Sequence, residues 1–103
     1  MKVRNSGWQV KITQEAAEAF KTDELTDDDK LVIRKWAQTI VEHGPEELQR
    51  IPSVWADHPL YGEWKGHRSS RFSYRGRIIY RVEENIVTAV VVKITTKHDY
   101  KKD

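Results

Sequence analysis

The pattern of apolar and polar residues near the N-terminus predicts a strand followed by a helix. Residues 8–12 (WQVKI) alternate apolar and polar side chains, which is typical of a short strand with one buried face. Thr13 follows directly, and its hydroxyl can cap a helix over residues 14–21. The segment therefore favours a strand that leads into a short helix.

A longer helix is predicted after a break at residues 21–26. Thr26 or Asp27 can start it, and three successive aspartates suit the positive end of a helix dipole better than they suit a metal site. Gly44 and Pro45 end it. Six residues form the apolar stripe that we expect to face the core: Leu31, Ile33, Trp36, Ala37, Ile40 and Val41.

The second half of the chain has the two-residue period of strands. Residues 45–60 contain three prolines and indicate a short helical turn or loop. Residues 67–73 and 77–82 then predict two strands joined by a turn, with Ile78, Tyr80 and Val82 on the buried side of the second. Residues 86–96 predict the longest strand, and their almost continuous apolar character is typical of a central strand covered on both faces.

The order of these elements predicts a small α+β fold. It has an N-terminal strand, two helices, and then a three-stranded antiparallel meander that completes one twisted sheet, with the helices packed on one face. A chain of 103 residues suits a single domain with one core.

Composition narrows the class of protein. The chain is 38% apolar and 33% charged, which fits a soluble globular protein, and no apolar run approaches the roughly 18 residues of a membrane span. It has no cysteine, which excludes disulfides, thiolate metal sites and a cysteine nucleophile. We expect a cytoplasmic protein.

Charge is unevenly distributed along the chain. Residues 1–50 hold 8 Lys or Arg and 10 Asp or Glu, a balance of −2, whereas residues 51–103 hold 10 and 6, a balance of +4. The basic residues concentrate in residues 58–82 together with two histidines and five aromatic residues. Six of them fall there: Lys65, Arg68, Arg71, Arg75, Arg77 and Arg81. This pattern favours a polyanion as the partner.

Strand alternation places part of this charge on one surface. Arg71 shares a face with His67, and Arg77 shares a face with Arg81. If the two sets align across the hairpin, two or three guanidinium groups project together, which suits phosphate binding and the recognition of single-stranded RNA. The alternative for Arg77 is a surface ion pair with a glutamate of the following turn.

RNA cleavage without a metal needs a base for the ribose 2′ proton, cations at the phosphate and an acid for the leaving 5′ oxygen. His58 precedes the basic hairpin, while His98 and Tyr100 follow the last strand. These side chains can supply the base and the acid.

Three segments of the chain carry a resemblance to a known family. They are HPLYGEWKGHR at residues 58–68, RIIYRV at residues 77–82 and HDY at residues 98–100. Together they resemble the RelE/ParE superfamily of bacterial type II toxins, and specifically the RelE-like mRNA interferases closest to the YafQ and YoeB group. The resemblance covers about the last 45 residues and implies that residues 1–103 form a single RelE-like toxin domain.

The resemblance implies a ribosome-dependent endoribonuclease that cleaves mRNA in the A site by metal-free 2′-OH attack and so inhibits translation. It also implies that the reaction needs no cofactor. The implied partners are a cognate antitoxin protein, the 70S ribosome and mRNA, and the implied location is the bacterial cytoplasm. By position, the implied catalytic residues are His58, Arg71, Arg77, His98 and Tyr100. RNA contacts are expected from Lys65, His67, Arg68, Arg75, Lys93 and Lys97.

Two points stay open at this stage. The chain has Asp99 where YoeB-like toxins end in a histidine before the tyrosine, so the general acid is either His98 or Tyr100. The alternatives to the nuclease are a ParE-like inhibitor of DNA gyrase with the same fold and a non-catalytic RNA-binding toxin relic.

Overall fold

The computed structural model of the protein describes residues 7–94. In sequence order, this part of the chain contains one strand, three α-helices and then four more strands. The strands are β1 (Gln9–Ile12), β2 (His58–Pro59), β3 (Arg68–Arg71), β4 (Gly76–Glu83) and β5 (Ile86–Ile94). The α-helices are α1 (Gln14–Glu18), α2 (Asp27–His43) and α3 (Pro52–Trp55). Short 3₁₀ turns lie at Ala19–Lys21, Pro45–Gln49 and Gly62–Trp64.

The five strands form one mixed sheet in the order β1-β5-β4-β3-β2. β3, β4 and β5 are the predicted antiparallel meander, and β1 adds to the edge of β5 in parallel. β5 therefore lies inside the sheet, as its apolar sequence predicted. The α+β fold expected from the order of elements is confirmed.

Thr13 begins α1 as predicted and also ties it to the sheet. Its hydroxyl oxygen accepts a hydrogen bond from the Ala16 amide at 3.1 Å and donates one to the Val90 carbonyl at 2.9 Å. Val90 is the extra residue of a β-bulge, because Ile79 pairs with Val91 while the next residue of β4 pairs with Ala89. The cap of α1 thus uses a carbonyl at the point where the ladder is interrupted.

The start and end of α2 also match the prediction. The Thr26 hydroxyl accepts from the Asp29 amide and the Asp29 carboxylate accepts from the Thr26 amide, both at 3.0 Å, which is a complete capping box. Gly44 ends the helix at φ +91°, where a residue with a Cβ would be strained and would lie 3.0 Å from the Trp8 indole nitrogen. The three aspartates are therefore part of a helix start.

The predicted apolar stripe of α2 is wrong for one of its residues. Ile33, Trp36 and Ile40 are buried on one side of α2, but Leu31 is 58% exposed. At about 100° per residue, the nine positions between Leu31 and Ile40 place them on opposite sides of the helix.

The buried face of the sheet carries Ile78, Tyr80, Val87 and Val92, and Trp36 packs edge-to-face on Tyr80 with ring centroids 5.4 Å apart. We call this the core face. Val82, expected in the same set, is 39% exposed and that prediction is wrong. The cause lies in the register, because β3 pairs only with Arg77–Tyr80 of β4 and leaves Val82 without a neighbour on that side.

Strand ends differ modestly from the sequence-based bounds. β3 is shorter than residues 67–73, and residues 95 and 96 of the predicted last strand lie outside the described residues. The two-residue strand β2 was not predicted, since it is too short to show any alternation. Within residues 7–94, no helix has the length and apolar character needed to cross a bilayer.

Candidate active site on the cationic face of the sheet

Three basic residues lie side by side across the last three strands. Arg71 of β3 is the direct cross-strand partner of Arg77 in β4, and Arg77 is the partner of Lys93 in β5. Opposed residues of an antiparallel pair point to the same side, with Cβ atoms about 4.5–5.5 Å apart. Because Ile78 and Ser70 point to the core face, these three side chains project from the other one, which we call the cationic face.

The hairpin between β3 and β4 brings the two arginines into register. The Phe72 amide donates to the Gly76 carbonyl at 3.0 Å, which closes the loop directly after Arg71 and before Arg77. A Cβ on Gly76 would lie 2.4 Å from the Phe72 ring, so only glycine allows this approach. Phe72 is itself buried, which prevents the ring from giving way easily.

The three cations differ in their surroundings. Arg77 and Arg71 are half-buried, whereas Lys93 is exposed. Arg71 Nη2 donates a long hydrogen bond of 3.4 Å to the Ser53 carbonyl of α3. Like charges placed directly opposite each other destabilise a sheet, and an anion bound between them removes that cost. The row is therefore suited to binding a phosphate.

His58 lies on the same face as the row. It pairs with Ser69, which is two residues from Arg71 along β3 and so points to the same side. His58 and Arg71 are then diagonal neighbours, which in an antiparallel pair lie about 7–8 Å apart. His58 Nδ1 lies 3.1 Å from the Pro59 carbonyl oxygen. That oxygen can only accept, so a hydrogen bond between them requires the tautomer with the proton on Nδ1, in which Nε2 presents a lone pair.

Ser69 and Ile79 lie between His58 and the last strand. They are cross-strand partners and are 2% and 8% exposed, although they point away from the core face. Within residues 7–94, the Ser69 hydroxyl has no hydrogen-bond partner. Buried side chains thus lie between the basic residues of the cationic face, and they include a hydroxyl group next to His58.

A polar cluster lies on the opposite side of the same strands. The Asp57 side chain is fully buried and accepts hydrogen bonds from Arg68 Nε at 2.7 Å, from the Ser70 hydroxyl at 2.6 Å and from the Tyr80 hydroxyl. Trp36 Nε1 in turn donates to the Ser70 oxygen at 3.0 Å. We call these residues the Asp57 cluster.

Electrostatics in this cluster are those of a stable ion pair. Burial would lower the pKa of Arg68, but the hydrogen bond to Asp57 and the attraction of its charge raise it overall. Burial and the same carboxylate raise the pKa of Tyr80, so its hydroxyl stays protonated and donates. The guanidinium of Arg68, which we expected to contact RNA, is thus held by a structural partner on the core face.

Three of the remaining predicted contacts lie in the segments that flank β3. Lys65 is exposed after the turn at Gly62–Trp64, and Arg75 is exposed in the β3–β4 loop. The His67 ring is half-buried and packs edge-to-face on Trp64 at 5.1 Å. Lys97, His98 and Tyr100 lie outside the described residues.

Comparison with solved structures finds this architecture in bacterial proteins. E. coli YafQ superposes with a TM-score of 0.69 at 16% identity, over 85% of this chain and 93% of that one. A Staphylococcus aureus YoeB dimer gives a TM-score of 0.66 at 17% identity, over 88% and 100% of the chains. The chain has the RelE-like fold. At the level of sequence, no family model and no curated protein matches it.

Some RelE-like structures similar to this chain contain a second protein. The E. coli DinJ–YafQ toxin–antitoxin complex matches at 17% identity with a TM-score of 0.66, over 85% of this chain and 92% of the YafQ chain. A YoeB/ParE toxin from Agrobacterium tumefaciens matches at 18% identity with a TM-score of 0.59, over 85% and 99% of the chains.

Sequence reasoning missed Asp57, although a signal was present. Asp57 is the only acid between Glu47 and Glu63, and it directly precedes His58. An isolated acid beside a basic strand is a candidate for a buried ion pair. Its partners become evident only when the register shows which side chains of β3 and β4 face the helices in this RelE-like fold.

Proposed function

We propose that the protein is the toxin of a type II toxin–antitoxin system and acts as a ribosome-dependent endoribonuclease. It would cleave mRNA in the A site and so inhibit translation. The observation that carries this proposal is the direct pairing of Arg71 with Arg77, with His58 on the same face of the sheet. The RelE-like fold agrees with a toxin role.

The proposed reaction requires no metal or cofactor. His58 Nε2 takes the proton of a ribose 2′-OH, and the 2′ oxygen then bonds to the adjacent phosphorus. The bond from phosphorus to the 5′ oxygen breaks, and a general acid protonates that oxygen. The products are a 2′,3′-cyclic phosphate and a 5′-OH. Arg71 and Arg77 stabilise the charge that develops on the phosphate oxygens.

The general acid is proposed from the C-terminal segment, where His98 and Tyr100 remain the two candidates. Either can give a proton to the leaving oxygen, since imidazolium and phenol are both donors. Single substitutions His98→Gln and Tyr100→Phe distinguish them. On RNA with an ordinary 5′-oxygen leaving group, the variant that lacks the general acid should show the larger fall in cleavage rate.

Further RNA contacts are proposed for five basic residues: Lys65, His67, Arg75, Lys93 and Lys97. Lys93 has the strongest support, because it continues the row formed by Arg71 and Arg77. Arg68 is the sixth candidate and has the weakest support, since its Nε is bound to the buried Asp57 carboxylate.

A cognate antitoxin is the proposed protein partner, and the bacterial cytoplasm the proposed location, where ribosomes and mRNA are present. The DinJ–YafQ complex and a YoeB–YefM complex from Staphylococcus aureus support an antitoxin, since both contain a toxin of this fold with its second protein. We propose that residues 1–103 form a single toxin domain, because YafQ and YoeB match over nearly their whole length.

A ParE-like inhibitor of DNA gyrase is the second candidate, favoured by the likeness to the Agrobacterium tumefaciens YoeB/ParE toxin. Its lower TM-score of 0.59 makes it the weaker comparison. Such a protein would act through protein contacts and would not need His58 beside a pair of arginines.

One experiment distinguishes the two. The purified protein is added to ribosomes programmed with a defined mRNA, which is then analysed by primer extension, and in parallel to a gyrase supercoiling assay. The nuclease predicts cuts at a fixed position in the A-site codon and normal supercoiling. Intact mRNA with inhibited supercoiling would establish the alternative, and inactivity in both assays would indicate a non-catalytic relic.

A further inference from the structure

Strand β2 carries His58 but has little structure of its own to hold it. It consists of two residues, His58 and Pro59, at the edge of the sheet. Proline has no amide hydrogen to donate, and most strands are about 3–10 residues long. Backbone pairing with Ser69 and Arg68 is extended only by the hydrogen bond from the Leu60 amide to the His67 carbonyl at 2.9 Å, so it constrains the position of His58 less than a longer strand would.

The residue before His58 is held much more firmly. The Asp57 side chain is fully buried and is bound by Arg68 and Ser70 of β3 and by Tyr80 of β4, so its carboxylate connects the edge strand to two inner strands. These bonds include a charged donor, which makes them stronger and more directional than ordinary ones. The Asp57 backbone is thereby fixed relative to β3 and β4.

The helix side of the cluster is also fixed. Ser70 receives a hydrogen bond from Trp36 of α2, and Trp36 is 1% exposed in the core. Asp57 thus connects β2 to β3, β4 and α2 by side-chain bonds alone. On the N-terminal side of Asp57, Ala56 adopts a left-handed conformation at φ +44°. This residue turns the backbone sharply between Asp57 and the buried Trp55.

Successive residues of an extended chain point to opposite faces of a sheet. Asp57 is bound on the core face, and His58 points to the cationic face with Ser69. Fixing one side chain therefore sets the position and direction of the other. We propose that Asp57 is a positioning residue, which holds the His58 imidazole on the same face as the Arg71–Arg77 pair from the opposite side of the sheet.

This inference rests on the proposed function for its catalytic consequence but not for its geometric content. A displacement of about 1 Å can reduce the rate of a catalysed step about 100-fold. We therefore expect Asp57→Asn to lower the single-turnover cleavage rate on programmed ribosomes about 100-fold. Affinity for the ribosome should stay within about twofold, because the cationic row is unchanged.

A matched control separates positioning from stability. Thr13→Ala removes the α1 cap and its bond to Val90, on the far side of the sheet from β2. It destabilises the fold but should leave the cleavage rate within about twofold of the wild type. Equal losses of rate in Asp57→Asn and Thr13→Ala at equal stability would overturn the inference.

Tyr80→Phe provides a milder change if Asp57→Asn does not fold. It removes one of the three hydrogen bonds to Asp57 but retains the Arg68 ion pair. Its cleavage rate should fall about tenfold with unchanged ribosome affinity. If both variants fold, wild-type cleavage rates in both would overturn the inference. If Asp57→Asn does not fold, a wild-type rate in Tyr80→Phe alone would overturn it.

A second readout needs no catalysis. In the free protein, nuclear Overhauser contacts between the His58 ring and the Ser69 side chain report the position of the imidazole. They should weaken in Asp57→Asn, or in Tyr80→Phe if that variant replaces it, and persist in Thr13→Ala. If the wild type cleaves no mRNA, the proposed function fails and these contacts alone decide the inference: their persistence in the cluster variant overturns it.

Discussion

Arg71 and Arg77 are direct cross-strand partners, joined by a short hairpin that closes on Gly76. Two guanidinium groups in this arrangement repel each other unless an anion lies between them, in which case they cooperate in binding it. The position is costly for the fold and useful for binding a phosphate, as expected of a functional site.

The first prediction concerns the geometry of these two groups. Arg71→Lys and Arg77→Lys each retain the positive charge but lose the planar fork that binds two phosphate oxygens at once. The cleavage rate should fall at least about tenfold, while binding to ribosomes changes little. Single-turnover kinetics measure the rate, and a filter-binding titration measures the affinity. A wild-type rate in both lysine variants would mean that only net charge matters at this position.

The second prediction concerns the hairpin that sets the register. Gly76→Ala places a methyl group where the Phe72 ring already lies, so it should lower the free energy of unfolding by about 1–3 kcal/mol. It should also reduce cleavage, because the strands on which the two arginines lie are pushed apart. Denaturant unfolding measures the stability.

Phe72→Leu tests whether the Phe72 ring causes the loss of stability in Gly76→Ala. In combination with Gly76→Ala, it makes space for the added methyl group, so the double variant should be more stable than the sum of the two single losses predicts. Strictly additive losses would argue that Phe72 is not the obstacle.

The sequence predicted the cationic row better than its surroundings, for a physical reason. Strand alternation and the short loop together limit the register of β3 on β4, so Arg71 and Arg77 could be expected on one face. Lys93 was expected to contact RNA, but its place beside Arg77 follows only from the pairing of β4 with β5. The bulge at Val90 shifts that pairing and has no clear sequence signal.

The environment of His58 could not be predicted in the same way. Its strand is two residues long, and the carboxylate before it binds residues 11 to 23 positions further along the chain. Such contacts depend on which faces of β3 and β4 are covered by α2. The periodicity of Arg68 and Ser70 gave their common face correctly but not their partner.

The third prediction concerns pH. The pKa of Tyr80 is raised by burial and by Asp57, whereas in the unfolded chain it returns to about 10. The unfolded state then loses this proton at a lower pH than the folded state, so stability should fall as the pH rises above about 10. Urea midpoints between pH 8 and pH 11 measure the effect.

Tyr80→Phe should be less stable at neutral pH, because one hydrogen bond is lost, but should show a flatter decline at alkaline pH. Tyr74→Phe is the matched control, since Tyr74 is 88% exposed, and its decline should equal that of the wild type. If the wild type and Tyr80→Phe decline in parallel, Tyr80 does not ionise with unfolding.

The fourth prediction concerns the turn between β4 and β5. Glu84 adopts φ +54°, a conformation that costs a residue with a side chain roughly 1–2 kcal/mol and costs glycine little. Glu84→Gly should therefore raise the free energy of unfolding by about 0.5–1 kcal/mol after the added flexibility of the unfolded chain is counted. Glu84→Ala, which removes the charge but retains the strain, should give no such gain. A larger gain from alanine than from glycine would assign the effect to charge.

The most direct test of the central claim is the identity of the RNA ends. Purified wild-type protein and Arg77→Ala are incubated with ribosomes that carry a defined mRNA, and the fragments are mapped and their termini analysed chemically. We predict an A-site cut by the wild type that leaves a 2′,3′-cyclic phosphate and a 5′-OH, with at least about 100-fold less product from Arg77→Ala. Intact mRNA with the wild-type protein, or fragments ending in 3′-OH and 5′-phosphate, would contradict it.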